Sequence, residues 1–193
     1  MDTTSVQAMT DSDFSGGTTF VEHLFFYIHS GAIVSMSDLS IQNTRSTTKQ
    51  AAIATSGATT TFTNVQFKNN SHTSTGDSGT LEFANCATAT IDSCVFDNNS
   101  GKKGSAIYAY TQGAAMDITV KNSTFKNNVS TVGDGAVFIW TSNTTNPFNA
   151  TFGRNVFFNN TAASGAGAIG VEGNITSVNI INNTSAYNTA QHG

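Results

Sequence analysis

Residues 104–128 read GSAIYAYTQGAAMDITVKNSTFKNN, and two short strings inside this stretch recur along the chain. The first is the closing FKNN. It occurs at 67–70 and 125–128, as FDNN at 96–99 and as FFNN at 157–160, which places the Phe positions 29, 29 and 32 residues apart. Weaker copies extend the series, Ile41-Gln42-Asn43-Thr44 before it and Ser185-Ala186-Tyr187-Asn188 after it. The second string is the opening GSAI, matched by SGTL at 78–81, DGAV at 134–137 and AGAI at 166–169. Two different motifs alternating in one phase define an internal repeat, and units of 26 to 32 residues point to a stacked architecture.

Reading outward from each Phe gives the strands. Seven and five residues upstream stand Val34/Met36, Thr60/Phe62, Ala89/Ile91, Ile118/Val120, Ala150/Phe152 and Val178/Ile180. Between the members of each pair lies Ser35, Thr61, Thr90, Thr119, Thr151 or Asn179, an apolar–polar alternation of period two that marks a strand with one buried face. A polar corner follows (Asp38, Asn64, Ser93, Asn122, Arg154, Asn182), then a short strand led by the Phe. The Gly-Ala-Ile string opens a third strand, with inward positions expected at Phe25/Tyr27, Ile53/Thr55, Leu81/Phe83, Ile107/Ala109, Val137/Ile139 and Ile169/Val171.

No copy carries an uninterrupted helical stripe, and Asn, Gly and β-branched residues, all poor helix formers, dominate. The expectation is an all-β chain: a right-handed, single-stranded parallel β-helix of about six coils with three short strands per coil. Right-handedness extends the crossover rule for parallel strands. Equivalent positions then stack about 4.8 Å apart, so that Phe67, Phe96, Phe125 and Phe157 form one column and Asn70, Asn99, Asn128 and Asn160 another. The second Asn of each pair, like the first, tolerates a left-handed backbone and offers an amide to neighbouring coils. One coil buries about six apolar side chains at roughly 1.5–3 kcal/mol each, a gain that chain ordering offsets, so coils must stabilise one another.

Composition narrows the function. The 193 residues include 10% charged side chains, with eight basic against twelve acidic, a net charge of −4 and no basic cluster beyond Lys102-Lys103. That excludes the positive footprint needed for nucleic acid. A 38% hydrophobic share argues against disorder, and no apolar run approaches the roughly 20 residues that insert into a membrane. The N-terminus lacks the charged and apolar regions of a signal peptide. A single domain spanning 1–193, with repeats over about 25–188, reads as a segment of a larger surface protein. Cys86 and Cys94, the only cysteines, read first as two small buried apolar side chains, with a disulfide between them as the alternative.

The alternation of FxxN with GGA[ILV]-like strings resembles the polymorphic outer membrane protein repeat, best known from chlamydial autotransporter adhesins. The matching residues are Phe67/Asn70, Phe96/Asn99, Phe125/Asn128 and Phe157/Asn160, with 104–107, 133–137 and 165–169 for the second motif. What the resemblance implies is a β-helical passenger domain displayed outside the cell and used in adhesion, with a host or neighbouring cell-surface protein or glycan as partner.

If Ile107, Ala109, Val137 and Ile139 point inward, then Tyr108, Tyr110, Phe138 and Trp140 point outward, Tyr108 beside Phe138 and Tyr110 beside Trp140 on adjacent coils. Such an exposed aromatic block marks a contact surface for a sugar, a protein or another copy. The competing reading is that the insertion at 141–150, with Pro147 and Phe148, folds over it. A second outward face is rich in Thr (Thr59, Thr61, Thr63, Thr88, Thr90, Thr119, Thr151), as on ice-binding solenoids, but Asp92, Asp117 and Lys121 interrupt it and Thr suits any exposed strand. Ten N-x-[ST] sequons, at Asn69, Asn98, Asn122, Asn128, Asn143, Asn149, Asn159, Asn174, Asn182 and Asn183, mostly coincide with the Asn columns.

Catalysis finds little footing. Asp92 and Asp117 belong on neighbouring coils four strand positions apart, and His23, His29, His72 and His192 lack metal-ligand spacing. Asp11-Ser12-Asp13 begins like a calcium loop without its later ligands, and Asp77 and Asp134 sit in turns. No catalytic residue, metal or cofactor is expected. The leading expectation is an extracellular, adhesin-like display domain. The alternative is a structural solenoid that self-associates through its coil ends into a fibre or coat, with a polysaccharide-acting enzyme and an ice binder behind.

Overall fold

The computed structural model describes residues 13–15, 21–22, 26–46, 53–72, 79–142 and 144–191. Among them the chain is all-β, without a helix, and winds as a parallel β-solenoid of about five turns between six or seven rungs. Each turn contributes to four sheets. Sheet 1 stacks Ile33–Ser37, Thr59–Thr63, Thr88–Asp92, Met116–Lys121, Phe148–Gly153 and Ser177–Ile181. Sheet 2 carries the Phe strands, from Ser40–Gln42 and Gln66–Lys68 through Val95–Asp97 and Thr124–Lys126 to Val156–Phe158 and Thr184–Ala186, with Asp13–Ser15 at its start. Sheet 4 stacks Phe26–Ile28, Ile53–Ser56, Leu81–Ala84, Ile107–Thr111, Val137–Thr141 and Ile169–Gly173.

Sheet 3 corrects the expected three strands per coil to four. It consists mainly of two-residue strands (Ser71–His72, Ser100–Gly101, Val129–Ser130, Thr161–Ala162) directly after each Asn pair. Their inward side chains include Ser130 and Ala162, both buried and small. A two-residue strand has no room for alternation, so its sequence reads as a loop.

Both kinds of polar corner rest on left-handed backbone. Asp38, Asn64, Ser93, Asn122, Arg154 and Asn182, between sheets 1 and 2, have φ of 52° to 57°. Asn43, Asn69, Asn98, Asn127, Asn159 and Tyr187, between sheets 2 and 3, have φ of 53° to 57°. An L side chain resists this region, and Asn resists it least. The two asparagines of each pair therefore divide the work. The first turns the chain, and the second points inward. Asn70, Asn99, Asn128 and Asn160 are at most 1% exposed, and each amide spans three rungs. Asn99 Nδ2 donates to Phe67 O on the rung before (3.0 Å) and to Asn128 Oδ1 on the rung after (3.0 Å), and its Oδ1 accepts from Asn70 Nδ2. The column continues through Asn160 to Asn188.

Beside it the Phe column packs as expected. Phe67, Phe96, Phe125 and Phe157 stack with ring centroids 4.7–4.8 Å apart and planes within 9° of parallel. The spacing equals the rung spacing, so no ring leaves its rotamer to meet its neighbour. Phe62, Phe83, Phe148 and Phe152 complete a core without exposed surface. Cys86 and Cys94 are buried and unpaired. They stand at opposite ends of Thr88–Asp92, an extended span of about 13 Å, beyond disulfide reach.

The inward positions follow the expected register with one correction. Phe26 pairs with Ile53 and Ile28 with Thr55, so Phe26 and Ile28 face the core and Tyr27 points out, half exposed against His29. Phe25 lies outside the described residues. The first unit is one residue shorter in this region than the expected alignment assumed, and a one-residue slip exchanges the two faces of a strand.

Candidate functional site

The outer face of sheet 4 is where chemistry collects. In-register pairing makes two columns: Glu82, Tyr108, Phe138 and Gly170, and beside it Ala84, Tyr110, Trp140 and Glu172. The expected pairs Tyr108–Phe138 and Tyr110–Trp140 are thus adjacent, with centroids 5.9 Å and 6.4 Å apart.

The expected exposed two-by-two block, however, is only half exposed. Tyr108 is 5% and Phe138 1% accessible. Their cover is not the insertion near Pro147, because Phe148 opens a sheet 1 strand and is itself core. Tyr108 is covered by the Tyr110 and Phe138 rings stacked on either side of it, and Phe138 from the corner after sheet 3. Lys103 Nζ lies 5.4 Å from the Phe138 ring centroid. Asp134 also reaches over the face beside Gly170, where any side chain would collide with Asp134 and crowd the Phe138 ring. Asp134 is held there by the Ala166 N–H, which donates to its Oδ1 at 2.8 Å.

The second column remains open. Tyr110 and Trp140, both partly exposed, line a cleft of about 470 Å3 together with Glu82, Lys103, Tyr108, Gln112 and Glu172. This volume lies within the roughly 300–1,000 Å3 typical of ligand sites. At its floor Glu82 is 4% exposed and accepts a hydrogen bond from the Tyr110 hydroxyl. Burial, the Glu82 charge and this hydrogen bond together push the Tyr110 phenol up to about 12. Tyr110 therefore stays a neutral donor throughout the physiological range.

The wall beside Gln112 is fixed by its own bonds. Asn85 Oδ1 accepts from Gln112 N–H (2.8 Å) and from Thr111 Oγ1 (3.0 Å), while Thr111 Oγ1 also receives the Ala114 N–H. Asn146 Nδ2 donates to Gly113 O at 2.8 Å, tying the 142–147 insertion to this wall. Sequence reasoning found the four aromatics but missed Glu82, Glu172, Lys103 and Gln112. The signal for the two glutamates was present, since each occupies an outward position of a sheet 4 strand, one on each side of the aromatic rungs.

The other features stay apart from the cleft. Thr61, Thr90, Thr119 and Thr151 form one continuous column on sheet 1, beside an Asp92–Lys121 ion pair at 3.3 Å. Asp92 and Asp117 are separated by four strand positions, about 13 Å. Asp92 is held below the usual carboxylate range: burial raises it, but hydrogen bonds from Asn122, Ser93 and Lys121 more than offset this. Of the sequons, Asn128 is buried in the ladder, whereas Asn69, Asn98, Asn122, Asn159, Asn174 and Asn182 are exposed. Among the described residues no group of His, Cys, Asp and Glu has the arrangement of a metal site. His23, His192, Asp11 and Asp77 fall outside them. Comparison of the chain with protein-family models, with curated proteins and with solved structures gives no match.

Proposed function

We infer that this solenoid is a surface-displayed, adhesin-like binding domain, non-catalytic, with the sheet 4 cleft as its contact site. The observation that carries the reading is the column Tyr110–Trp140–Glu172 beside buried Glu82. The only Trp of the chain stands partly exposed in a walled cleft between exposed Glu172 and buried Glu82. A rigid scaffold holding amphipathic aromatics at its surface is the usual anatomy of a contact hot spot. Resemblance to the chlamydial adhesin repeat and the low charge density support display outside the cell. Glu82 and Glu172 sit three rungs and two strand positions apart, roughly 16 Å between α-carbons. Strand side chains stand roughly perpendicular to their sheet, so the two carboxyl groups keep much of that distance, beyond the about 5–9.5 Å of a glycosidase pair.

The test is adherence of the purified domain to host or neighbouring cells, scored by flow cytometry. Trp140→Ser and Tyr110→Ser are expected to keep the β-sheet circular dichroism and lose adherence. Unchanged adherence would refute the site. A second reading is self-association through unpaired strand edges of the solenoid. Sedimentation separates the two: filaments favour assembly, and soluble monomers favour binding.

A further inference from the structure

Resting on the cleft as contact site, we propose that its ligand is a neutral glycan, an extended oligosaccharide lying along the solenoid axis. Three features of the lining lead there. The first is charge. Glu82 and Glu172 stand against Lys103 as the only charged lining residues, so the lining carries an excess of negative charge. A uronate, sulfate or sialate would meet unfavourable carboxylates in a partly desolvated site.

The second is ring geometry. Tyr108 and Tyr110 are stacked at 5.1 Å with planes 27° apart, and Trp140 is tilted 48° from Tyr110. The two Tyr rings turn their faces to each other and Tyr108 is buried, so Trp140, partly exposed and rising from the same flat sheet, is the one-sided surface on which the C–H face of a pyranose can lie. A quaternary ammonium group instead needs rings that surround it. The third is polar complementarity. The exposed Glu172 carboxylate accepts from sugar hydroxyls, while Lys103 and Gln112 donate to hydroxyl and ring oxygens.

Orientation follows from the scaffold. The lining runs from the Glu82 rung to the Glu172 rung in steps of about 4.8 Å. An extended glycan advances by a similar distance per ring, so successive sugars meet successive rungs. Trp140 is the main stacking surface, and the exposed Glu172 accepts from a sugar hydroxyl beside it.

The experiment applies the purified chain to an array of immobilised neutral and acidic oligosaccharides, then titrates the best soluble glycan against Trp140 fluorescence. Binding is expected on neutral glycans alone, with a shift in Trp140 emission. A loss of at least tenfold is expected in Trp140→Ala and a smaller loss in Glu172→Gln. Binding to no glycan, binding confined to acidic glycans, insensitivity to Trp140→Ala, or displacement by choline would each overturn the assignment. Cell adherence that depends on Trp140 but survives enzymatic removal of surface glycans would leave the contact site standing and remove the glycan. Adherence indifferent to Trp140 would remove both.

Discussion

Replacing Asn99 with Ala should damage the solenoid far more than the same change one residue earlier. The Asn99 side chain takes part in four hydrogen bonds: two donated, to Phe67 O and Asn128 Oδ1, and two accepted, from the Asn70 backbone N–H and Asn70 Nδ2. All are buried. Each buried group deprived of its partner costs about 1–3 kcal/mol; the Asn70 amide keeps its bond to Ile41 O, so the Asn70 N–H and the Phe67 carbonyl together give a loss of about 2–6 kcal/mol, centred near 4. Asn98, by contrast, is exposed and donates to Asn69 Oδ1 at 2.9 Å. Ala there loses one solvated bond and strains a left-handed position, about 1–2 kcal/mol. Against a domain stability of about 5–15 kcal/mol, Asn99→Ala should lower the urea midpoint by about 2 M, at a slope of roughly 2 kcal/mol per M. Asn98→Ala should move it less than half as far. Equal shifts for the two variants would refute the division of labour within the Asn pair. Repeat arrays can unfold in stages, so the comparison uses midpoints followed by both circular dichroism and Trp140 fluorescence.

Other consequences are quickly checked. Burial pushes the Cys94 thiol up to about 12 and raises Cys86, so neither should react with a thiol reagent in the folded protein, and both should react in denaturant. The Tyr110 phenol is raised to about 12 in the fold, from about 10 in the unfolded chain. The folded state thus holds this proton more tightly, and the Tyr110 contribution is fully present below pH 10 and lost as pH rises toward 12. Tyr110→Phe should therefore lose less stability than the parent over that window, measured by urea midpoints at pH 9 and pH 11.5. Asp92 runs the opposite way. Its lowered folded pKa makes its contribution present above about pH 4 and lost as pH falls further, and Asp92→Asn should flatten that acid limb.

Whether a feature is legible in the sequence depends on whether its residues act through periodicity or through a neighbour. The inward pairs from Val34/Met36 to Val178/Ile180, the six left-handed corners from Asp38 to Asn182 and the Phe column are readable because each repeats once per turn at a fixed offset. Sheet 3 is not, since two residues cannot alternate. The slip at Tyr27 arises where the repeat shortens by one residue and no Gly-Ala-Ile string anchors the phase. At the site, pairing of Tyr110 with Trp140 is legible, but the burial of Tyr108 and Phe138 is not. Phe138 is covered by Lys103, which reaches across from a corner of variable length on the neighbouring rung, and Tyr108 by the rings packed on either side of it. Glu82 escapes notice for a related reason. An isolated acid on a strand acquires meaning only once the Tyr110 hydroxyl is placed beside it.

The in-register stack of parallel rungs underlies both the ladders and the cleft, and paired cysteines test it directly. Thr90 and Thr119 are partners on adjacent strands of sheet 1, about 4.8 Å apart at their α-carbons and within disulfide range. Thr88 and Thr119 are two positions out of register, about 8 Å apart and beyond it. With Cys86 and Cys94 inert in the core, the Thr90→Cys/Thr119→Cys variant should form an intramolecular disulfide rapidly under mild oxidation, and Thr88→Cys/Thr119→Cys should remain reduced. Failure of the first pair to close, or equal closure of the second, would contradict the stacking on which the fold and its cleft are built.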